Sequence, residues 1–361
     1  MSATISPLPA SIDSTRFALI GCGDIARKHM IALGRIESAQ VVCCYDINPT
    51  TAQTFGQKNG IPFYSDVRRM LDEQDPEVFC ILTPSGTHAD SIFQLVDYGK
   101  HFVVEKPLAL RLDHIDSILE RCDQSGLKLF VVQQNRFNPP IQKLKDAIQR
   151  GRFGKLVLGT VRVRWRRDQA YYDQKEWRGT WAHDGGVFTN QASHHIDMLI
   201  WMMGNVLSVV GKTTTRLVNI EAEDTGAAII TFTNGAVGII EATTATRPKD
   251  LEGSISILGE KGAVEVGGFF MNELKTWQFA EPNEDDKSIW ETFGKTPNEI
   301  AWNHTQFYQD VIRSLRQGHR GLIDGLEGRK SVELIQAIYE SSDTGKEVPL
   351  RFAPKNCRLG R

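Results

Sequence analysis

Lys106 is the first residue of this chain whose type and setting could do chemistry. It follows the apolar run Phe102-Val103-Val104, which reads as a strand covered on both faces, and it is followed by Pro107. A lysine at the carboxyl end of a strand in an open parallel sheet opens onto the ligand crevice, where its ammonium can reach both a cofactor and a substrate hydroxyl. Pro107 fixes its own φ and restricts Lys106, and the bond between them is of the kind that can be cis. A lysine that merely ends a strand at the surface is the alternative reading of an isolated Glu-Lys-Pro. A second candidate set is Asn190, His194 and Asp197, spaced i, i+4 and i+7, which would share one face if the chain turns helical at Asn190. Asn190 can orient a hydroxyl, and the His194 imidazole can take its proton near neutral pH. The pair His194-His195 with Asp197 also admits a metal site, or a buried structural histidine tied to Asp197. Adjacent histidines diverge on a helix and no third ligand is evident, so no metal is expected.

The elements that must position these residues can be read outward from them. Arg16 to Ile20 reads as a buried strand, followed by Gly21-Cys22-Gly23-Asp24-Ile25-Ala26 and an amphipathic segment from Arg27 to Ile36. This is G-x-G-x-x-A in a strand, turn and helix context. Gly21 permits the tight turn, Gly23 lets the backbone approach a pyrophosphate, Ala26 allows close helix packing, and the helix N-terminus favours the anion. A second strand, Val41 to Tyr45, ends at Asp46, whose carboxylate can accept from ribose hydroxyls and would repel a 2'-phosphate. That favours NAD over NADP. Alternation continues with a helix near Pro49 to Asn59, a strand at Val78 to Leu82, a helix near Thr87 to Tyr98, the strand before Lys106, a helix near Leu112 to Gln124 and a strand at Leu129 to Val132. Such repeated units imply a doubly wound parallel sheet. Thr83-Pro84-Ser85-Gly86-Thr87-His88 would face the crevice and line the cofactor, or cap the next helix, or both.

Beyond Gln133 to Asn138 the pattern changes. Leu156 to Arg167, Val206 to Leu217, Gly226 to Phe232, Ala236 to Thr244, Ser254 to Leu258 and Ala263 to Val266 read as strands joined by turns such as Asn234-Gly235 and Glu260-Lys261-Gly262, an antiparallel pattern. Between the first two lies a long polar and aromatic excursion holding Trp177-Arg178-Gly179-Thr180-Trp181, Asp184-Gly185-Gly186 and the Asn190 to His194 set. Arg162, Arg164 and Arg166 alternate along a strand, and their stripe suits a phosphate or carboxylate, a solvated face or a subunit contact equally well. Asn303 to Leu315 and Gly325 to Ser341 read as amphipathic helices, the second packing back against the rest of the chain.

Composition limits the partners. The 361 residues are enough for two domains, and 41% apolar with 24% charged content is ordinary for a globular protein. A net charge of -2 gives no general attraction to nucleic acid or anionic lipid, so neither is expected as a partner. The six cysteines are scattered without C-x-x-C spacing, which suits reduced thiols in the cytoplasm. The first fifteen residues lack a cationic start and an apolar core and read as a flexible tail rather than a signal peptide. No apolar run approaches the roughly 20 residues that span a bilayer.

Taken together, the glycine loop at Gly21, Gly23 and Ala26, the acid Asp46, the Glu105-Lys106-Pro107 motif and a histidine three residues before an aspartate, His194, resemble the Gfo/Idh/MocA family of NAD(P)-dependent sugar and cyclitol oxidoreductases. The resemblance covers nearly the whole chain. It implies an α/β protein: an N-terminal Rossmann domain with a doubly wound parallel sheet at 16–133, then a C-terminal α/β domain at 134–361 with a large, mostly antiparallel open sheet. That sheet would form a homodimer or homotetramer interface. Many family dehydrogenases carry aspartate where this chain has Asn190, which weakens a carboxylate relay and leaves Lys106 and His194 as the acid/base pair, either of them the base. Gln134-Asn135-Arg136, Tyr171-Tyr172, Trp177 to Trp181, Asn190 to His194 and Leu251 to Gly262 further resemble the group that oxidises the C3 hydroxyl of UDP-2-acetamido-2-deoxyglucuronate in O-antigen biosynthesis. Some of that group reoxidise NADH with 2-oxoglutarate, a property these residues leave open. The resemblance implies catalytic Lys106, His194 and Asn190. It implies cofactor contacts from Gly21, Gly23, Asp24, Ile25, Ala26, Asp46, Thr83, Ser85, His88, Glu105, Lys106, Gln134, Trp177 and Arg178. Substrate contacts would come from Lys106, Arg136, Tyr172, Asn190, Gln191 and His194. Dehydrogenases of another sugar or cyclitol, and a non-catalytic NAD-binding regulator, are the competing readings.

Overall fold

The computed structural model describes residues 14–269, 271–293 and 301–350; most of the expected N-terminal tail and the last eleven residues lie outside the described residues. The chain divides into two compact units. The first, among the described residues, holds 14–109, 113–134 and 301–328; the second holds 110–112, most of 135–293 and 329–350. The first unit thus takes in 301–328, a segment that the sequence reading places in the second domain.

In the first unit β1 (Thr15–Ile20), β2 (Ala39–Tyr45), β3 (Phe63–Tyr64), β4 (Val78–Ile81), β5 (His101–Val104) and β6 (Leu129–Val131) form a sheet in the order β3-β2-β1-β4-β5-β6. Every pairing is parallel. The helices between them are α1 (Ala26–Leu33), α2 (Pro49–Asn59), α3 (Val67–Glu73), α4 (His88–Leu95) and α5 (Leu112–Gln124). Apolar runs without alternation produce the central strands, since Phe17, Leu19, Phe79, Phe102 and Val103 are all fully buried. The ends of α2 fall where the sequence places them because each carries its own signal. Asn48 accepts the Thr50 and Thr51 N–H groups, Pro49 opens the first turn and Gly60 closes the helix at φ 66°. β3 and α3, two and seven residues long, are too short to leave a readable period.

The second unit contains α6 (Pro139–Gln149), β7 (Leu156–Arg164), α7 (Gln169–Tyr172), α8 (Ser193–Met203), β8 (Val206–Thr214), β9 (Thr225–Phe232), β10 (Val237–Thr243), β11 (Glu252–Gly259), β12 (Gly262–Gly267), β13 (Glu273–Phe279) and α9 (Asp285–Phe293). α10 (Trp302–Gln317) belongs to the first unit; α11 (Gly325–Thr344) and β14 (Val348–Pro349) complete the chain. The eight strands run β13-β12-β11-β7-β10-β9-β8-β14, antiparallel except for the β7–β10 pair. β9 shows how the sheet is sided: Gly226, Ala228, Ile230 and Phe232 are buried while Ala227 and Ile229 are exposed. α8 lies on the buried face, close to β7, because a Cβ on Gly159 would come within 2.8 Å of Leu199 and Met203. No helix among the described residues is long and apolar enough to cross a membrane.

Candidate active site

In the first unit the strand order reverses between β1 and β4, whose last residues Ile20 and Ile81 pair. Ligands of open α/β sheets bind outside the strand ends at such a point. There the chain turns at Gly21, φ 101°, where a Cβ would stand 2.8 Å from the Leu82 carbonyl carbon and 2.9 Å from the Thr83 nitrogen, so glycine is required. Gly23 is different: nothing lies within 4 Å of where its Cβ would be, and it is exposed together with Asp24. That open backbone, with partly exposed Ile25 and buried Ala26 leading into α1, suits the approach of a pyrophosphate. Asp46 accepts the Cys22 N–H at 2.9 Å through Oδ2 and the Asn48 N–H at 2.9 Å through Oδ1. It therefore clasps the glycine loop to the end of β2 while offering a partly exposed carboxylate to a ribose. The Asp46 carboxylate and the open loop fit a dinucleotide.

Thr83 and Ser85 are partly exposed after β4, but His88 is 1% exposed and both its ring nitrogens face carbonyls, Pro107 O at 2.8 Å and Thr83 O at 2.9 Å. Its place is inside, tying the β4–α4 turn to Pro107. Lys106 is the one residue between 102 and 110 that is not buried, and its bond to Pro107 is cis. The Glu105 carboxylate turns inward, its Oε1 2.8 Å from His29 Nε2. Gln134 opens a short 3-10 turn after β6.

In the second unit α8 begins at Ser193, so Asn190 lies in the turn before the helix and not on its face. The expected i, i+4, i+7 stripe holds only for His194 and Asp197. Asn190 is held instead by its own turn: its N–H donates to the Gly186 carbonyl and its side-chain amide donates to Asp184 Oδ1. Asp184, 2% exposed, accepts the Gly179 N–H at 2.8 Å through its other oxygen, so one buried carboxylate joins Asn190 to the tryptophan segment. His194 is the one residue from 191 to 200 that is not buried; Gln191 is buried beside it. His195, which the metal reading needs, is fully enclosed, and burial pushes its pKa down to about 4.

Three expected contact residues are engaged within the second unit. Arg136 is 1% exposed and binds Asp197 through Nε and Nη2, both at 2.7 Å, with its guanidinium over the Trp201 ring. Tyr172 is buried, its hydroxyl 3.1 Å from Thr244 Oγ1. Arg178 stacks over Tyr171 at 4.1 Å and donates to the Tyr171 carbonyl and Gln174, with Trp177 beside it. The arginine stripe of β7 is neutralised in place: Arg162 meets Glu252 at 3.0 Å, Arg164 meets Glu241 at 2.6 Å and Glu252 at 3.2 Å, and Arg166 meets Asp168. A site for a free phosphate there would have to displace these carboxylates.

Glu223 is a group that sequence reasoning did not single out. Its Oε1 accepts the Phe188 N–H and the Tyr339 hydroxyl at 2.9 Å each, while its buried Oε2 has no partner, and it packs against Gly186, where a Cβ would stand 2.1 Å from it. Burial raises its pKa to about 7. His29 and Tyr308 also went unmarked, since nothing in their spacing links them to the motif they support; Asp184 stands in the marked excursion, but no role follows from its spacing.

Residues 15–133 match the family model described as oxidoreductase family, NAD-binding Rossmann fold, and residues 145–350 match its C-terminal alpha/beta domain. Among curated relatives, a D-apiose dehydrogenase of Paraburkholderia graminis is 24% identical, over 97% of this chain and 95% of that protein. A myo-inositol 2-dehydrogenase of Thermotoga maritima is 26% identical, over 93% and 98%. Among solved structures, the WlbA dehydrogenase of Bordetella pertussis, in complex with NADH and UDP-GlcNAcA, superposes with a TM-score of 0.90 at 42% identity, over 94% of this chain and 99% of that one. The WlbA dehydrogenase of Chromobacterium violaceum, with the same two ligands, gives 0.87 at 39%, over 96% and 99%.

Proposed function

The chain belongs to the Gfo/Idh/MocA family of NAD-dependent oxidoreductases, and from that footing we propose that it oxidises the C3 hydroxyl of UDP-N-acetylglucosaminuronic acid to the 3-keto sugar, a step toward lipopolysaccharide O-antigen. The observation that carries this reading is the 42% identity to a dehydrogenase holding UDP-GlcNAcA, across nearly all of both chains. The apiose and inositol dehydrogenases, at 24% and 26%, favour the competing reading of a free sugar or cyclitol as substrate.

In this reading NAD would be held by the Gly21 loop and Asp46 and would supply the hydride acceptor for the C3 hydrogen. Lys106 and His194 are the acid/base pair: the hydroxyl proton leaves either to a neutral Lys106 or to His194, and in the second case the Lys106 ammonium stabilises the developing alkoxide. Asn190, fixed by Asp184, orients the sugar. Cofactor contacts are assigned to the Gly21 to Ala26 loop, Asp46, Thr83, Ser85 and Lys106, with Gln134, Trp177 and Arg178 as further candidates. For His88 and Arg136 the assigned part is support, since each is buried with its polar atoms engaged. Five buried free cysteines suit a reducing cytoplasm, where nucleotide sugars are made.

The exposed face of the eight-stranded sheet supports an assembly of identical subunits. Val210, Ile229 and Ile239 pair across β8, β9 and β10, and Val237 and Leu258 flank them through Leu158; all five named first and second are more than a third exposed. A contiguous apolar face of this kind is unusual on a monomer. Ile229→Lys should convert the native assembly to smaller species in sedimentation; an unchanged size would remove this face as the interface. The substrate reading is tested by following NADH with UDP-GlcNAcA, myo-inositol, apiose and glucose. Only the nucleotide sugar should be turned over, and turnover of a free sugar alone would refute it. Running the assay with and without 2-oxoglutarate decides whether that keto acid returns the cofactor to its oxidised form.

A further inference from the structure

A buried hydrogen-bond chain runs behind Lys106 in the first unit. Tyr308 Oη lies 3.4 Å from Cys80 Sγ and 2.6 Å from His29 Nδ1; His29 Nε2 lies 2.8 Å from Glu105 Oε1; Glu105 Oε2 accepts the Lys106 N–H at 3.1 Å. Its members come from β4, α10, α1 and the end of β5, elements far apart in sequence. Cys80, Tyr308 and His29 are fully buried and Glu105 is 8% exposed.

Since a carboxylate only accepts, His29 Nε2–H and the Lys106 N–H both donate to Glu105. The other imidazole nitrogen, Nδ1, meets the Tyr308 hydroxyl, and that hydroxyl stands at hydrogen-bond distance from Cys80 Sγ. His304 of α10 stands edge-on to His29 with ring centroids 5.3 Å apart, and burial pushes its pKa down to about 3. Two histidines and a carboxylate together resemble metal ligands, but both His29 nitrogens are already engaged at hydrogen-bond distance, which makes this a proton network.

Burial alone would raise the Glu105 pKa; the hydrogen bond from His29, together with the electrostatic pull of His29, His304 and Lys106, outweighs it and brings the group to about 2. The anion therefore persists one residue from Lys106, and on the far side of the tripeptide the buried His88, whose pKa burial lowers, meets the Pro107 carbonyl through Nδ1.

We propose that His29, backed by Tyr308, is a positioning residue for Lys106: it anchors the carboxylate that fixes the lysine backbone and sets the charge beside its ammonium. This rests on the reading of Lys106 as an acid/base residue. A structural histidine would affect stability alone; a positioning one must also alter the protonation of Lys106.

The test measures labelling of Lys106 by an amine-reactive reagent against pH in the full-length protein, by peptide mass spectrometry. Removing a neighbouring anion favours the neutral amine, so the isosteric Glu105→Gln should lower the labelling midpoint by about half a pH unit or more, and His29→Leu, which frees that carboxylate from its anchor, should move the midpoint away from wild type. His29→Gln, whose amide can still donate to Glu105, should restore it. Wild-type midpoints in Glu105→Gln and His29→Leu would overturn the proposal, as would a His29→Gln midpoint that stays with His29→Leu. If His29→Leu does not fold, Glu105→Gln decides alone. Because labelling needs no substrate, the outcome is separate from the turnover reading, which fails only if Lys106→Met remains active.

Discussion

Lys106→Met is expected to lower kcat by about 10³-fold or more while leaving NADH affinity within about 3-fold of wild type, because acid/base and electrostatic contributions of this kind reach that size. Methionine keeps the unbranched stem and loses only the ammonium, and the glycine loop and Asp46 that would hold the dinucleotide are separate from it in sequence. NADH binding followed by fluorescence, beside steady-state turnover with UDP-GlcNAcA, separates the two functions. Near-normal turnover would defeat the role given to Lys106.

The second large effect concerns stability. Glu223 in the folded protein has its pKa raised by burial from 4.5 to about 7. A raised folded pKa means that the stability it contributes is fully present below pH 4.5 and is lost as pH climbs through 7, where an unpartnered Oε2 must become charged inside the protein. The difference amounts to roughly 3 kcal/mol between the two limits. Glu223→Gln keeps an acceptor for the Phe188 N–H and the Tyr339 hydroxyl but cannot ionise. Its stability should match wild type at pH 5 and exceed it at pH 8, with a melting temperature several degrees higher at the higher pH. Parallel pH profiles for the two proteins would show that Glu223 is not the group responsible.

How much of this was legible beforehand depended on whether the signal was local. The glycine loop, Asp46 and the strand before Lys106 each combine residue type with immediate context, and the parallel sheet and its open end follow from them. The antiparallel half was visible through its turns, as at Asn234-Gly235, where Gly235 takes φ 85°. The parallel β7–β10 pair was not, because partners that distant leave no trace in either strand. Asn190 was placed on a helix because its neighbours are helical in pattern, but the helix starts only at Ser193 and Asp184 holds Asn190 outside it.

Burial decided the remaining differences. Arg136 reads as a substrate contact from its motif, yet the structure spends its guanidinium on Asp197, 61 positions away. His88 likewise looks available in a polar loop but faces two carbonyls. His29 and Tyr308 meet across 279 positions, and no pattern of spacing announces such a contact.

The most direct test of the substrate assignment follows the hydrogen itself. With UDP-GlcNAcA deuterated at C3 and unlabelled NAD, the NADH formed should carry one deuterium and the sugar should return as a 3-ketone, whereas deuterium placed at C2 or C4 should stay in the sugar at the hydride-transfer step. Unlabelled NADH from the C3-deuterated substrate, or no NADH from it while a free sugar or cyclitol reacts, would contradict the assignment.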